Sequence, residues 1–281
     1  MTPEAMHAAL ASWRETSTKS AILDFLHLVT AGAGAVPVER RLAAFDDDGT
    51  LAPEKPTSAL SAFLESLPDE RRAATLVQHA GELFPGLTGP GTQELVADRF
   101  DGKTVEEFES QAAAFLRADL HPRFGRPWPA LTYAPMFELA ALLRELQFTV
   151  YVVSGSSRDF LRTMAESAYG ARREHVIGTE VEVEYRDGRL VRKRKLNLPD
   201  QGPGKPAHLW DRTGGTALLA AGNTMGDLEL LDSARFALLV NHDDADREYS
   251  YTDQQALAAS RTHGWTTVSM RRDFATIFAN V

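Results

Sequence analysis

The sequence FDDDGTL (Phe45–Leu51) places three acidic residues, a glycine and a threonine directly after an apolar segment, Arg41 to Phe45. The apolar segment predicts a short buried strand, and ligands of a parallel sheet bind where its strands end. We therefore expect the three acids to line a pocket. Adjacent carboxylates repel one another, so a divalent cation that neutralises them would make the arrangement reasonable.

The same motif allows two interpretations. A carboxylate at the end of a strand can attack phosphorus, and its neighbour two residues on can donate and accept the proton. An acidic turn after a strand is the ordinary alternative, because Asp-Gly is a common turn sequence. This motif alone does not decide between catalysis and a turn.

A second apolar segment, in VYVVSGSSRDF (Val150–Phe160), ends at Ser154 and Gly155 ahead of a predicted helix. A hydroxyl and free backbone N–H groups at this position form a ready site for an anion such as phosphate. Capping of the helix by Ser156 or Ser157 is the simpler explanation when the motif is taken alone.

Two further motifs lie in the C-terminal half. Lys205 stands in GPGKPAHLW, where its ammonium could pair with a phosphate, although a single lysine is usually solvated. In LLAAGNTMGDLELL (Leu218–Leu231), Asn223 and Asp227 follow a predicted buried strand and offer the oxygen ligands that suit Mg²⁺. For Asp227 the alternative is a helix N-cap.

The rest of the chain predicts an α/β fold, because strands and helices alternate beyond residue 130 as in a parallel sheet with helices on both faces. We expect three parts. They are an N-terminal helical segment (1–40, two helices within Pro3 to Thr30), a core (41–52 and 130–281) and an inserted helical module (53–129). The predicted elements of the core are helices Pro135 to Leu146, Asp159 to Ala168 and Asp227 to Leu231, and strands Phe148 to Val153, His175 to Ile177, Ala217 to Ala221, Phe236 to Val240 and Thr266 to Val268.

A basic run, Arg192 to Lys195, lies in a segment that predicts a hairpin turning at Asp187-Gly188. That turn would place Glu182 opposite Lys193 and Glu180 opposite Lys195. Cross-strand charge pairs of this kind stabilise a hairpin, so the run needs no nucleic acid to explain it.

Composition excludes several classes of function. A formal net charge of −9 disfavours nucleic acid and anionic membranes as partners, and the absence of cysteine excludes disulfides and thiolate metal sites. We find neither an apolar run of membrane-spanning length nor a signal-peptide pattern in Met1 to Glu15. We expect a cytoplasmic enzyme, and the oligomeric state is left open.

Taken together, the four motifs resemble those of the haloacid dehalogenase superfamily, which are strand-D-x-D-G-T, strand-S/T, a lysine, and strand-G-D-x-x-x-D. The corresponding residues here are Asp46 to Thr50, Ser154, Lys205, and Gly222-Asn223 through Asp227. One position departs from the pattern, because Asn223 stands where the family usually has an aspartate. The resemblance implies a Rossmann-like parallel sheet and places the inserted module where phosphoserine phosphatase-like members carry a helical cap.

The resemblance also implies a role for each residue. Asp46 would be the nucleophile, Asp48 the acid and then the base, and Asp47 would face away from the site. The phosphoryl oxygens would be held by Ser154, Gly155 and Lys205. Mg²⁺ would be bound by the Asp46 carboxylate, the Asp48 backbone carbonyl, and Asn223 or Asp227, directly or through water.

The implied activity is hydrolysis of a small phosphomonoester through an aspartyl-phosphate. Glu54, Lys55 and Arg99 are candidates for contacts with the leaving group. Phosphoryl transfer to another alcohol begins with the same intermediate and remains an alternative, as does a catalytically silent protein that binds a phosphorylated metabolite. A dehalogenase is less favoured, because Asp48 supplies the acid that a phosphate-ester leaving group requires.

Overall fold

A computed structural model describes residues 1–32, 34–67, 90–197 and 199–279. Twelve α-helices lie in this part of the chain. Their bounds are α1 Pro3–Ala9, α2 Ser17–Thr30, α3 Ala59–Ser66, α4 Pro90–Arg99, α5 Val105–Ala118, α6 Ala134–Glu145, α7 Arg158–Arg162, α8 Ala165–Tyr169, α9 Gly204–Thr213, α10 Leu228–Ser233, α11 Gln254–His263 and α12 Met270–Asp273. None of the described helices is long and apolar enough to cross a membrane.

Six strands form one parallel sheet with the order β3-β2-β1-β6-β7-β8, which confirms the predicted α/β class. Their bounds are β1 Leu42–Phe45, β2 Thr149–Ser157, β3 Val176–Thr179, β6 Leu219–Gly222, β7 Phe236–Asn241 and β8 Thr266–Ser269. In β1, Ala43 and Phe45 pack into one apolar layer while Leu42 and Ala44 pack into the other. A strand buried on both faces needs an unbroken apolar sequence, which is why this segment shows no alternation.

The two N-terminal helices are confirmed as predicted. Each begins at a threonine N-cap, Thr2 and Thr16, whose hydroxyl accepts a hydrogen bond from a backbone N–H of the first turn. Their apolar residues, including Leu26 and the C-cap Leu10 of α1, pack in the same layer of the core as Ala43 and Phe45 of β1. This segment therefore extends the core of the sheet domain.

The predicted helix over Asp159 to Ala168 is wrong in its continuity. The structure has two short helices instead, α7 and α8, separated at Thr163 and Met164. The Thr163 hydroxyl donates to the carbonyl of Phe160 at 2.6 Å, and Met164 has a φ of −123°, outside the helical range. The apolar pattern fits a continuous helix because both helices bury the same side.

The predicted hairpin is confirmed, with strands β4 Val181–Arg186 and β5 Arg189–Leu196 and positive φ angles at Asp187 and Gly188. The predicted charge pairs are wrong, because Lys193 reaches diagonally to Glu184 and the register is irregular between Val181 and Val183, beside Glu182. The observed pairs are Glu184 with Lys193 at 2.6 Å and Glu182 with Lys195 at 2.5 Å.

The hairpin packs on the inserted helices. The backbone of Arg192 exchanges hydrogen bonds with Gly102 and Lys103, in the loop between α4 and α5, at 2.9 and 2.8 Å. The proposed division at residues 53 and 129 therefore stays a prediction, and the hairpin, which we expected in the core, contacts the insertion directly.

Candidate active site

Asp46 and Asp48, two of the three acids that follow β1, line a cavity of about 120 Å³ at the carboxyl end of the sheet. All seven predicted site residues lie in its wall. The complete lining is Asp46, Asp48, Glu54, Ser154, Gly155, Gln201, Lys205, Asn223, Thr224, Gly226 and Asp227. Strand register explains the convergence, because Phe45 at the end of β1 pairs with Val152 of β2 and Ala221 of β6. A larger hollow of about 570 Å³ between α1 and α2 shares none of these residues.

Asp46 is held in one orientation at the end of β1. Its backbone N–H donates to Ala221 O at 2.9 Å, Lys205 Nζ donates to its Oδ1 at 2.5 Å, and Thr50 Oγ1 donates to its Oδ2 at 3.3 Å. Burial, reinforced by the Asp227 carboxylate, raises the pKa of Asp46 to about 8 even though Lys205 opposes the shift. A bound cation would counter this effect.

Lys205 is buried, with 3% of its surface exposed, so the solvated alternative is wrong. It lies at the start of α9, and its ammonium donates to Asp46 Oδ1 and Asp227 Oδ1, each at 2.5 Å. Burial alone would lower the pKa of Lys205, but the Asp227 and Asp46 carboxylates outweigh burial and leave the pKa above its ordinary value. The lysine is therefore a fixed positive charge in an acidic cavity.

Asp227 accepts hydrogen bonds from the loop after β6 in addition to the one from Lys205. Its Oδ2 accepts hydrogen bonds from the backbone N–H groups of Asn223 at 2.9 Å and Thr224 at 3.1 Å. A side chain at Gly222 would place its Cβ 2.5 Å from the Cβ of Asp227, so only glycine permits this approach. Asp227 stands at the N-cap of α10, but its side chain makes no capping bond to that helix and accepts from the preceding loop instead.

Asn223 faces the opposite wall of the cavity. Its Nδ2 donates to Glu54 Oε1 at 3.3 Å and lies 3.5 Å from the Tyr251 hydroxyl. Gly49, with a φ of +80°, leaves the necessary space, because a Cβ there would lie 1.9 Å from Asn223 Nδ2. The absence of a side chain at Gly49, in the first motif, therefore makes room for Asn223, in the fourth motif.

The C-terminal part of β2 brings Ser154 and Gly155 into the cavity wall. The Ser154 hydroxyl accepts a hydrogen bond from Ser156 N at 3.1 Å. Ser157 stands at the N-cap of α7 without a side-chain capping bond, so the structure does not support the capping explanation for it. The carbonyl of Gly155 accepts from Thr179 Oγ1 at 2.9 Å and from Gln93 Nε2 at 3.0 Å.

The two remaining acids of the first motif have different surroundings. Asp48 lines the cavity, and its Oδ2 is buried with no hydrogen-bond partner in the part of the chain that the structure describes. Burial, followed by the charges of Asp47 and Asp46, raises the pKa of Asp48 well above its ordinary value, as an acid catalyst requires. Asp47 does not line the cavity. Burial raises the pKa of Asp47 to about 6, although a hydrogen bond from Tyr169 opposes the shift.

Mg²⁺ fits the donor set of this cavity. Within residues 1–32, 34–67, 90–197 and 199–279, no three histidine or acidic side chains are placed to ligate one ion together. Mg²⁺, however, is usually held by one or two carboxylates, waters and the substrate phosphate rather than by a complete protein cage. The unpartnered Asp48 Oδ2 and the three aspartates of the lining supply the negative charge that such an ion requires.

Sequence reasoning missed several residues of the site and misplaced others. Gln93, in α4, carries no motif and comes from the insertion, so nothing in the sequence marks its contact with Gly155. Gln201, Thr224 and Gly226 flank predicted site residues and line the cavity. Of the leaving-group candidates only Glu54 lines the cavity, while Lys55 lies over the ring of Tyr251 at 5.0 Å and Arg99 is not among the lining residues.

The part of the chain that matches a known family includes all the residues that line the cavity. Residues 43–232 match the family model of haloacid dehalogenase-like hydrolases. A protein of unknown function from Bordetella pertussis Tohama I superposes with a TM-score of 0.58 at 18% identity, covering 82% of this chain and 98% of its own. A functionally unknown protein from Anaerococcus prevotii DSM 20548 gives 0.61 at 14% identity, covering 92% of each chain.

A third similar structure is cytosolic 5′-nucleotidase IIIB bound to cytidine. It superposes with a TM-score of 0.50 at 14% identity and covers 88% of this chain and 87% of its own. No curated protein matches the sequence. At these identities the similar structures establish the fold, and the family model establishes the relationship.

Proposed function

The chain belongs to the haloacid dehalogenase-like hydrolases, and from this premise we propose that it hydrolyses a small phosphomonoester with Asp46 as nucleophile. One observation carries the proposal. A buried carboxylate, Asp46, is fixed by Lys205 in the same small cavity as Asp48, an acid whose Oδ2 has no partner among the described residues. Nucleophile, cation and proton donor are the groups that phosphoryl transfer requires.

In the first step an oxygen of Asp46 attacks phosphorus, and the bond from phosphorus to the leaving oxygen breaks. Asp48 gives its proton to the departing alkoxide, so an alcohol leaves and Asp46 carries the phosphoryl group. In the second step Asp48 takes a proton from water, and the resulting hydroxide attacks the same phosphorus. The bond from phosphorus to the Asp46 oxygen breaks, inorganic phosphate leaves, and both carboxyl groups return to their starting states.

Positive groups must offset the negative charge on the phosphoryl oxygens during both steps. Lys205 is already buried beside the nucleophile, and the Ser154 hydroxyl and Gly155 backbone lie in the same wall. Mg²⁺ would be held by the Asp46 carboxylate, the Asp48 backbone carbonyl, and Asn223 or Asp227, directly or through water. When bound, it would polarise the phosphoryl group and neutralise part of its charge.

The insertion between residues 53 and 129 would act as the cap that closes over the substrate. Support comes from Gln93, whose side chain is buried and bonded to Gly155 O at the wall of the cavity. A cavity of about 120 Å³ favours a small phosphorylated metabolite as the substrate. Since one similar structure is a 5′-nucleotidase bound to cytidine, nucleoside monophosphates belong in the test panel beside phosphorylated amino acids.

The test is turnover of an aryl phosphate and of this metabolite panel, with Mg²⁺ and with the metal removed by chelation. We expect phosphate release that depends on Mg²⁺. Addition of acceptor alcohols separates hydrolysis from the alternative of phosphoryl transfer, because a transferase would form new phosphate esters. Binding of phosphorylated ligands without turnover of any ester would favour the silent binding protein instead.

A further inference from the structure

Asn223 leaves the metal site with one carboxylate fewer than the family pattern provides. It occupies the position that usually holds aspartate, and a neutral amide attracts Mg²⁺ less than a carboxylate does. The cavity contains one further acid outside the four motifs, Glu54, whose side chain is 5% exposed. These two departures from the motif set lie in contact with each other.

The contact joins the amide of Asn223 to the carboxylate of Glu54. Asn223 Nδ2 donates to Glu54 Oε1 at 3.3 Å, and the hydroxyl of Tyr251 also donates to Glu54. Both of these donors are neutral groups, whereas the adjacent Lys55 ammonium attracts the Glu54 carboxylate electrostatically. An amide that donates to a carboxylate carries more negative charge on its own oxygen, as with other metal ligands that have acidic partners.

The backbone fixes Glu54 beside the first motif. Three successive N–H groups, of Thr50, Leu51 and Ala52, donate to the carbonyl of Asp47 at 2.8 to 3.2 Å, so the chain turns back after the acids. Beyond Glu54, the ring Nε2 of the buried His121 lies 2.8 Å from Lys55 O. The carboxylate of Glu54 is thereby held over the loop that carries Asn223.

We propose that Glu54 supplies to the metal site the negative charge that Asn223 does not carry, acting on the ion through the amide or as a ligand itself. The inference rests on the proposed function, since it concerns the same Mg²⁺. It restores the number of acids at the site, with Glu54 joining Asp46, Asp48 and Asp227 in place of the missing aspartate.

The test measures Mg²⁺ binding directly, by calorimetry and by the rise in melting temperature with Mg²⁺ concentration, without substrate. Glu54→Gln keeps the shape and the acceptor for Asn223 but removes the charge. We expect it to weaken Mg²⁺ binding about tenfold or more, a loss of about 1.4 kcal/mol. Asn223→Asp on the Glu54→Gln background should return the affinity to within about threefold of the wild type.

The matched control is Glu248→Gln, a buried acid that contacts His242 and lies outside the cavity lining. It should leave Mg²⁺ binding within about twofold of the wild type. Circular dichroism and urea unfolding would establish that each variant folds. Asn223→Leu, which removes the amide altogether, should weaken binding at least as much as Glu54→Gln.

Unchanged Mg²⁺ affinity in Glu54→Gln would overturn the inference and assign Glu54 to the leaving group. A double variant that binds no better than Glu54→Gln would also overturn it, because charge would not be what Glu54 supplies. Failure of the proposed function is distinguishable. If the wild type binds Mg²⁺ and Glu54→Gln does not, yet no phosphate ester is turned over, the inference stands and the hydrolase proposal fails.

Discussion

The sheet edge and the inserted helices reach the same cavity by different physical routes. At the carboxyl end of the sheet, the neighbouring strands β2, β1 and β6 bring Ser154, Asp46 and Asn223 to one place. The insertion reaches the cavity through individual contacts, such as Gln93 with Gly155 O. Strand ends are fixed by the whole hydrogen-bonded sheet, whereas each contact of the insertion depends on one side chain.

The two regions also differ in what stabilises them. The insertion holds a group of aromatic rings around Phe63, which stacks on Phe100 and on Phe160 of the core and meets Phe108 and Phe115 at steeper angles. Beside them Arg192, 1% exposed, pairs with Asp159 and lies over the ring of Phe108 at 4.0 Å. We therefore expect substitutions at the sheet edge to remove chemistry, and substitutions in the insertion to change stability or substrate affinity.

The largest expected effect is at Asp46. Asp46→Asn should lower kcat by on the order of 10⁴-fold or more while leaving the fold intact, because an amide of nearly the same shape is a poor nucleophile. Steady-state kinetics and circular dichroism would measure both quantities. Asp47→Asn is the matched control and should keep most of the activity, since Asp47 does not line the cavity. Near-normal turnover by a folded Asp46→Asn protein would contradict the mechanism.

Asp48→Asn should lower kcat by about 10²- to 10⁴-fold, the usual contribution of general acid and base catalysis. The loss should be greatest for esters of poorly departing alkyl alcohols and smallest for aryl phosphates, which need less help from an acid. A series of esters with increasing leaving-group pKa would measure the dependence. Equal losses across the series would remove Asp48 from the acid role.

In the insertion and hairpin, Arg192→Met should lower the free energy of unfolding by about 1 to 3 kcal/mol, because the buried Asp159 loses one arginine partner and keeps only Arg158 and Arg162. Urea unfolding would measure the loss. Replacing both residues, with Arg192→Met and Asp159→Leu together, should cost less than the single change, since the buried carboxylate is then removed together with its buried partner. A double variant less stable than Arg192→Met would show that the ion pair itself is not what the hairpin requires.

The smallest expected effect is at Gln93. Gln93→Ala removes one hydrogen bond to Gly155 O, which still accepts from Thr179. Substrate binding should therefore weaken by about 0.5 to 1.5 kcal/mol. We expect KM to rise by up to about tenfold with kcat nearly unchanged. Thr179→Val is the control for the second donor of the same carbonyl. A kcat effect as large as that of Asp48→Asn would place Gln93 in the chemistry and remove the contrast between the two regions.

Sequence patterns predicted the sheet edge well because three of the four motifs lie where an apolar strand segment ends, and the carboxyl ends of parallel strands meet at one edge. They predicted Lys205 only through the family resemblance, since the residues around it do not reveal that it is buried between two acids. Sequence patterns failed where a contact joins residues that are far apart in the sequence, because such a contact leaves no periodic pattern in the sequence. Arg192 belongs to a basic run that looks solvated, and its burial depends on Asp159 and Phe108 in other elements.

The most direct test is identification of the residue that carries the phosphoryl group during turnover. Wild-type protein mixed with an aryl phosphate and Mg²⁺ is quenched in acid within the first turnovers, digested, and examined by peptide mass spectrometry. We predict one phosphoryl group on Asp46, absent from Asp46→Asn and lengthened in lifetime by Asp48→Asn. Full turnover with no phosphorylated residue, or with the phosphoryl group on another side chain, would contradict catalysis by Asp46.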